Sequence, residues 1–190
     1  MSQTPSLPVP EEVWASLLRG VADRRSPFRT PALATTSLDG LPEVRTVVLR
    51  GADVASRTLT FHSDLRSPKV AALGRRPYAA WMFYDRRGRI QIRASGPTTV
   101  EADGALVDAA WARTTASARR TYATATGPGR PVVPGETRSL DVDSPEVRAV
   151  FCQGRTRVER IDWLHLHHAG HMRAVLEWTG TDWAVGWRVP

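Results

Sequence analysis

Between residues 45 and 69 the sequence gathers the groups that an anion needs. Arg45 lies on an alternating run whose same face carries Val47 and Leu49, so its cation is half-buried and requires a partner. His62-Ser63-Asp64 forms a polar corner, and Arg66-Ser67-Pro68-Lys69 follows it directly. Proline is tolerated in the first turn of a helix, so Ser63, Arg66, Ser67 and Lys69 cluster where a strand ends and a short helix begins. Cations, hydroxyls and free backbone N–H groups at a helix N-terminus are suited to a phosphate or similar anion. Lys69 is the only lysine in the chain, and its place beside Ser67 and Arg66 favours a phosphate over a solvated helix position.

The elements that position these groups read as short antiparallel strands. A helix starts at Pro10-Glu11-Glu12, with Val13, Trp14, Leu17, Leu18 and Val21 on one face, and ends near Arg24-Arg25-Ser26-Pro27. Residues 32–38 predict a first strand, Asp39-Gly40 a hairpin turn, and Pro42–Arg50 a second strand. Gly51–Arg57 is expected as a turn, Thr58–His62 as the third strand and Pro68–Arg75 as a short helix. Tyr78–Tyr84 and Arg89–Glu101 predict a hairpin whose second arm bends at Gly96-Pro97. Asp103–Tyr122 is helical in composition. Residues 126–139 (TGPGRPVVPGETRS) are a loop that is long for a compact domain, and therefore functional or covering a partner. Ser144-Pro145-Glu146 caps a helix to about Val150. The remainder predicts three strands, Arg155–His167, His171–Trp178 and Trp183–Val189. Many short strands at hairpin spacing with peripheral helices favour an antiparallel barrel over a parallel α/β sheet. A mainly β single domain over 1–190 is expected, with 1–9 a loose N-terminal segment.

Composition narrows the function. The chain has 190 residues and 42% hydrophobic residues, enough for a sizeable core. The formal net charge is +7, yet the cations are spread along the chain and no helix-turn-helix, zinc-finger or basic-aromatic motif accompanies them, so nucleic acid is not the expected partner. No apolar run has the length of a membrane-spanning helix, and the N-terminus lacks the charged start and apolar core of a secretory signal. With Cys152 the only cysteine, no internal disulfide is possible, and a cytoplasmic location is expected.

Other chemistry-bearing residues have plainer readings. His165 and His167 share a strand face, and His168 and His171 follow, but Asp162 is the only carboxylate at hand and no cysteine joins them. Barrel packing and a polar pocket rim are favoured over a metal site. Cys152 beside Phe151 reads as a small buried hydrophobe. No Ser-His-Asp order, P-loop or GxGxxG occurs.

These residues, in this order, resemble the pyridoxamine 5'-phosphate oxidase-like flavoproteins, in particular the small bacterial branch described as related, FMN-binding proteins. The strand pattern R-x-V-x-L-[KR] corresponds to Arg45, Val47, Leu49 and Arg50. The aromatic-x-[TS] strand end and the S-x-K that follows it correspond to Phe61, Ser63, Ser67 and Lys69. Gln91-Ile92-Arg93 corresponds to Q-[VIL]-R, and Trp163 with Arg173 to a tryptophan followed ten residues later by an arginine. The resemblance implies a split β-barrel, an antiparallel Greek-key-type barrel, that binds FMN at a homodimer interface. It implies that Arg45 meets the phosphate and ribityl chain, and that the backbone of Thr46, Val47 and Val48 lies along the isoalloxazine. Ser63, Ser67 and Lys69 would hold the phosphate, with Arg66 supplying charge where Pro68 replaces an arginine. His62 would lie near the ribityl chain, Gln91 would contact the ring, and Trp163 and Arg173 would reach the partner subunit's flavin.

The sequence departs from the oxidases where they clamp their substrate. Trp111 takes the place of a tyrosine on the helix after the hairpin, and the arginine of that run is displaced to Arg119 or Arg120. An Arg-x-His pair becomes Ala169 and His171. The resemblance therefore implies an FMN-dependent oxidoreductase acting on a small molecule, with the cofactor site retained and the substrate pocket altered. His171, Arg50 and Arg120 are the candidate substrate-pocket residues. The alternatives are a non-catalytic flavin- or haem-binding module and an F420-dependent reductase in the same barrel.

Overall fold

A computed structural model describes residues 10–168 and 170–190. The expected loose segment 1–9 and Ala169 lie outside the described residues. Ten strands and five short helices follow one another as α1 (Pro10–Ala22), β1 (Ala32–Thr36), β2 (Pro42–Thr46), β3 (Gly51–Asp53), β4 (Thr58–Asp64), α2 (Pro68–Arg75), β5 (Tyr78–Asp85), β6 (Ile90–Glu101), α3 (Ala105–Ala112), α4 (Ala116–Arg119), α5 (Pro145–Ala149), β7 (Phe151–Arg157), β8 (Arg160–His165), β9 (Met172–Trp178) and β10 (Trp183–Arg188).

Every strand pair is antiparallel. The sheet runs β10-β9-β8-β6-β5-β1-β2, and a second branch, β3-β4-β7, joins it through β6. The long strand β6 is what splits the barrel. Its first half, Ile90–Ser95, pairs with β8, and its second half, Thr98–Glu101, pairs with β7. The change of partner falls at Gly96, where a Cβ would sit 1.9 Å from the Arg157 carbonyl oxygen. Only glycine allows the β7–β8 crossover to pass this close. Val13, Trp14 and Leu17 of α1 join Leu33, Leu49, Leu59, Phe61, Trp81, Phe83 and Ile161 in one buried core.

Two strand expectations need correction. The second strand does not run to Arg50. It stops at Thr46, and residues 47–50 cross from one sheet branch to the other. Their backbone N–H groups donate to Pro31 (from Val47), Arg29 (from Leu49) and Thr60 (from Arg50) instead of to a regular ladder. The apolar Val47, Val48 and Leu49 continue the strand pattern because Leu49 is fully buried at the crossing. Likewise 155–167 is not one strand: β7 ends at Arg157 and β8 begins at Arg160. At the break, Val158 N–H donates to Arg57 and Glu159 N–H to Ser95. The first half of β7 was hidden by Gly154, which reads as a breaker. It is required because the Phe61 ring lies 2.1 Å from where its Cβ would be. With β7 in place, β4 extends to Asp64, paired residue for residue from Thr58↔Arg157 to Asp64↔Phe151.

Candidate functional site

The end of β4 and the start of α2 form the cradle expected from their residues. Ser63 and Ser67 are buried, and their hydroxyls lie 3.2 Å apart. Lys69 Nζ donates to Ser63 Oγ at 3.2 Å. Ser67 is the N-cap of α2, but its hydroxyl faces Ser63 and makes no capping bond, so the helix start remains electropositive. Burial and the nearby Arg45 cation both lower the Lys69 pKa. Lys69 and Arg45 are both partly buried, and neighbouring cations of this kind favour a negatively charged ligand.

Arg45, Thr46, Val47, Val48, Arg50, His62, Ser63 and Lys69 line one cavity of about 430 Å³, within the range of small-molecule sites. The irregular crossing at 47–50 contributes Val47, Val48 and Arg50 to the wall of this cavity. The Arg45 guanidinium is engaged within the chain, donating to Thr35 Oγ1 at 2.6 Å and to Glu43 Oε2 at 2.7 Å. Glu43 is 40% exposed, so this is an ion pair of the weak, solvent-screened kind.

Arg66 is positioned differently from its expected role. It forms a two-point contact with Asp64, at 2.9 and 2.7 Å, and donates to the carbonyls of Thr124 and Ala125. It thereby ties the 122–126 segment to the end of β4. Beyond it, a Cβ on Gly127 would lie 2.8 Å from Arg66 Cβ, and one on Gly129 would lie 3.1 Å from Pro68. Pro128 between them lines the cavity. The long loop therefore starts as a wall of the site. Sequence reasoning missed the cavity residues Ala118, Thr121, Tyr122 and Pro128, because none carries a distinctive motif. The Tyr122 phenol is pushed up to about 12, by burial first, and stays protonated.

Gln91, Trp163, Arg173 and His171 do not join this cavity within one chain. Gln91 stands in a cross-strand row with Tyr84, Leu164 and Arg173, and paired residues share a sheet face. Arg93 and Arg173 both bind Asp162 on this sheet, the latter at 3.0 and 2.7 Å. Burial works against the Asp162 carboxylate, but these hydrogen bonds prevail and hold it below the usual carboxylate range. Trp163 is in register with Ile92 and packs partly against the core. His171 is exposed at the start of β9. Of the displaced arginines, Arg119 pairs with Asp143 and stacks over Trp111 at 4.5 Å, while Arg120 is exposed and lines neither this cavity nor the next.

A second cavity, of about 530 Å³, shares Arg50, His62 and Ala118 with the first and runs between the β3-β4-β7 branch and α3–α4. His62 lies at the junction, and its pKa is lowered to about 4 by burial and by the neighbouring Arg50 and Arg113. It is a neutral ring near pH 7.

The chain is similar to proteins of one family in both sequence and fold. The sequence profile of the family described as "Pyridoxamine 5'-phosphate oxidase, FMN-binding domain" matches residues 11–102, which include the cradle and Gln91. A pyridoxine/pyridoxamine 5'-phosphate oxidase of Gluconobacter oxydans is 31% identical over a 199-residue alignment covering 97% of this chain and 98% of that protein. The protein of the same name in Nitrobacter winogradskyi is 38% identical over 92 residues, so the chain matches only 41% of that relative's length. A solved structure from Nostoc punctiforme, a pyridoxamine 5'-phosphate oxidase-related, FMN binding protein, has a TM-score of 0.76 and 25% identity, covering 97% of this chain and 98% of that one.

Proposed function

The chain belongs to the pyridoxamine 5'-phosphate oxidase FMN-binding domain family, and from that membership we propose that it is an FMN-dependent oxidoreductase, homodimeric, with a substrate pocket of its own. The observation that carries this reading is the Ser63–Ser67–Lys69 cluster, whose Ser63 and Lys69 line one cavity with Arg45 and residues 46–48. The donor set fits the cofactor. Hydroxyls, a lysine and a helix start suit a phosphate dianion, and Arg45 can leave its weak pair with Glu43 to join them. The 46–48 backbone suits the polar rim of a flat ring. Bound there, FMN would supply two-electron redox chemistry with a small-molecule substrate. The chain's own residues bind, orient and shield. Tyr122 stays a neutral donor, neutral His62 and cationic Arg50 form the wall toward the second cavity, and Pro128 limits water access.

The homodimer is supported by the opposite face of the sheet. Val44, Tyr78, Met82 and Tyr84 are 66, 50, 41 and 43% exposed, and they share the face of Gln91 and Arg173. An apolar face of this kind, carrying the polar residues that the cavity lacks, fits a second copy that completes the flavin site. The altered pocket is supported by Arg119 being committed to Asp143 and Trp111, and by Arg120 standing outside both cavities.

The test is spectroscopic. Protein purified with FMN is expected to retain a flavin spectrum at one FMN per chain, and Lys69→Ala to weaken FMN binding by at least tenfold. An unchanged affinity in Lys69→Ala would remove the cradle from the reading. In anaerobic titrations the flavin is expected to be reduced slowly, if at all, by pyridoxamine phosphate. Rapid bleaching by that compound would overturn the altered pocket.

A further inference from the structure

Arg66 stands beside the cradle yet lines neither of the cavities that Pro128 borders. A guanidinium carries five N–H donors in a rigid fork, and the chain engages all three of its nitrogens. Nε and Nη2 donate to the two oxygens of Asp64 at 2.9 and 2.7 Å. Nη1 donates to the Thr124 and Ala125 carbonyls at 2.9 and 3.2 Å, and Nη2 to the Tyr122 carbonyl at 3.4 Å. Asp64 is buried at the end of β4 and also accepts from the Arg66 backbone N–H at 2.8 Å. The side chain is thus fixed at its base as well as at its head.

The three carbonyls belong to the start of the long loop. Tyr122 packs against Phe151, and past it the loop is closed by its own two ends. The Ala125 N–H donates to the Arg138 carbonyl at 2.9 Å and the Leu140 N–H to the Ala123 carbonyl at 2.8 Å, around the Thr124–Ser139 bridge. These bonds join the loop to itself. The Arg66 fork joins it to β4, and the chain then lies along the Arg66 stem, where a Cβ on Gly127 would meet Arg66 Cβ at 2.8 Å. Gly129 next turns at a φ of +79°, over Pro68. Pro128 is held between these two contacts.

Resting on the flavin reading, we propose that Arg66 is a positioning residue: it latches the 122–129 segment onto the end of β4, and release of this latch admits and frees the cofactor. Tyr122 and Pro128, which line the cavity, travel with the segment. Arg66 itself stays off the phosphate, because a donor spent there would break a bond that holds the wall. A lysine cannot do the same work. Its ammonium offers three donors from one point, too few and too close together for a carboxylate and three carbonyls spread from residue 122 to residue 125. Arg66→Lys therefore separates a latch from a phosphate cation.

Stopped-flow flavin fluorescence on the full chain tests this role. Arg66→Lys should raise the FMN release rate at least tenfold and speed FMN entry at least threefold, because a wall that opens more often passes the cofactor both ways. Wild-type rates in Arg66→Lys would overturn the latch and return Arg66 to the phosphate. Hydrogen exchange of the flavin-free chain reads the latch without the cofactor. The Ala125 and Leu140 amides should exchange at least fivefold faster in Arg66→Lys, while the β4–β7 amides keep their wild-type rates. Gly127→Ala is the second variant, since it leaves the Asp64 pair in place and lifts the segment from the Arg66 stem; it should speed the same two amides. Unchanged exchange at Ala125 and Leu140 in these variants overturns the latch whether or not FMN binds. Faster exchange in a chain that takes up no FMN would support the latch and overturn the flavin reading alone.

Discussion

At the residue scale the site is set by how few charges are left without partners. Arg66 is absorbed by Asp64 and three carbonyl groups, and Arg45 is held by Thr35 and Glu43. The Arg45 pair predicts a gain of function. Glu43→Gln should free the guanidinium and tighten FMN binding by roughly two- to fivefold, the scale of an exposed ion pair, as read by flavin fluorescence titration. His62 predicts a pH effect. Its ring stays neutral in the fold down to about pH 4, against an ordinary value of 6.5. The unfolded chain therefore takes up a proton that the folded chain refuses. The stability associated with neutral His62 is complete above about pH 6.5 and is lost as pH falls toward 4, by up to about 2–3 kcal/mol after allowing for partial exposure. Urea unfolding of wild type and His62→Gln at pH 7 and pH 4.5 should show the variant losing less stability on acidification. Equal losses would mean that His62 is not held neutral.

At the element scale the decisive feature is the bend in β6. Gly96→Ala would drive a methyl group into the Arg157 carbonyl, 1.9 Å from its ideal Cβ position. The crossover backbone cannot retreat without releasing the Glu159-to-Ser95 and Val158-to-Arg57 hydrogen bonds. A loss of about 3 kcal/mol or more is expected, or failure to fold. Gly74 in α2 is the control, since a Cβ there meets nothing within 4 Å; Gly74→Ala should be neutral or stabilising by a few tenths to about 1 kcal/mol. Thermal denaturation of the two variants separates a steric role for Gly96 from a general glycine effect. The hairpins, α2 and the Ser144 cap were legible in the sequence because each is a local decision made by turn residues, Pro at a helix start and alternation. The β7–β8 break was not, because a strand that changes sheets keeps its alternating pattern on both sides of the crossing.

At the scale of the whole molecule, the residues read as one flavin site fall into two groups on different surfaces. Arg45, Thr46, Val47, Val48, His62, Ser63 and Lys69 line a cavity, whereas Gln91 and Arg173 occupy the outer sheet face with Met82 and Tyr84. The proposed dimer would bring them together. Charges placed on that face, as in Met82→Glu with Tyr84→Glu, should therefore yield a monomer in sedimentation that also loses FMN, although neither residue lines the cavity. A monomeric variant that keeps wild-type FMN affinity would show that one chain suffices.

The sequence by itself determined the mainly β architecture, the α2 cradle and the family resemblance, because each rests on residues close together in the chain. Which cations remain available was decided only by the tertiary structure. Arg66 and Arg119 look free in the sequence, but which partners an arginine meets depends on groups brought from distant segments. The same holds for the opening anion motif. Its hydroxyls and lysine were legible as a local pattern, whereas the wall formed by Tyr122 and Pro128, and the second cavity behind Arg50 and His62, exist only because the barrel folds α3, α4 and the long loop over β4.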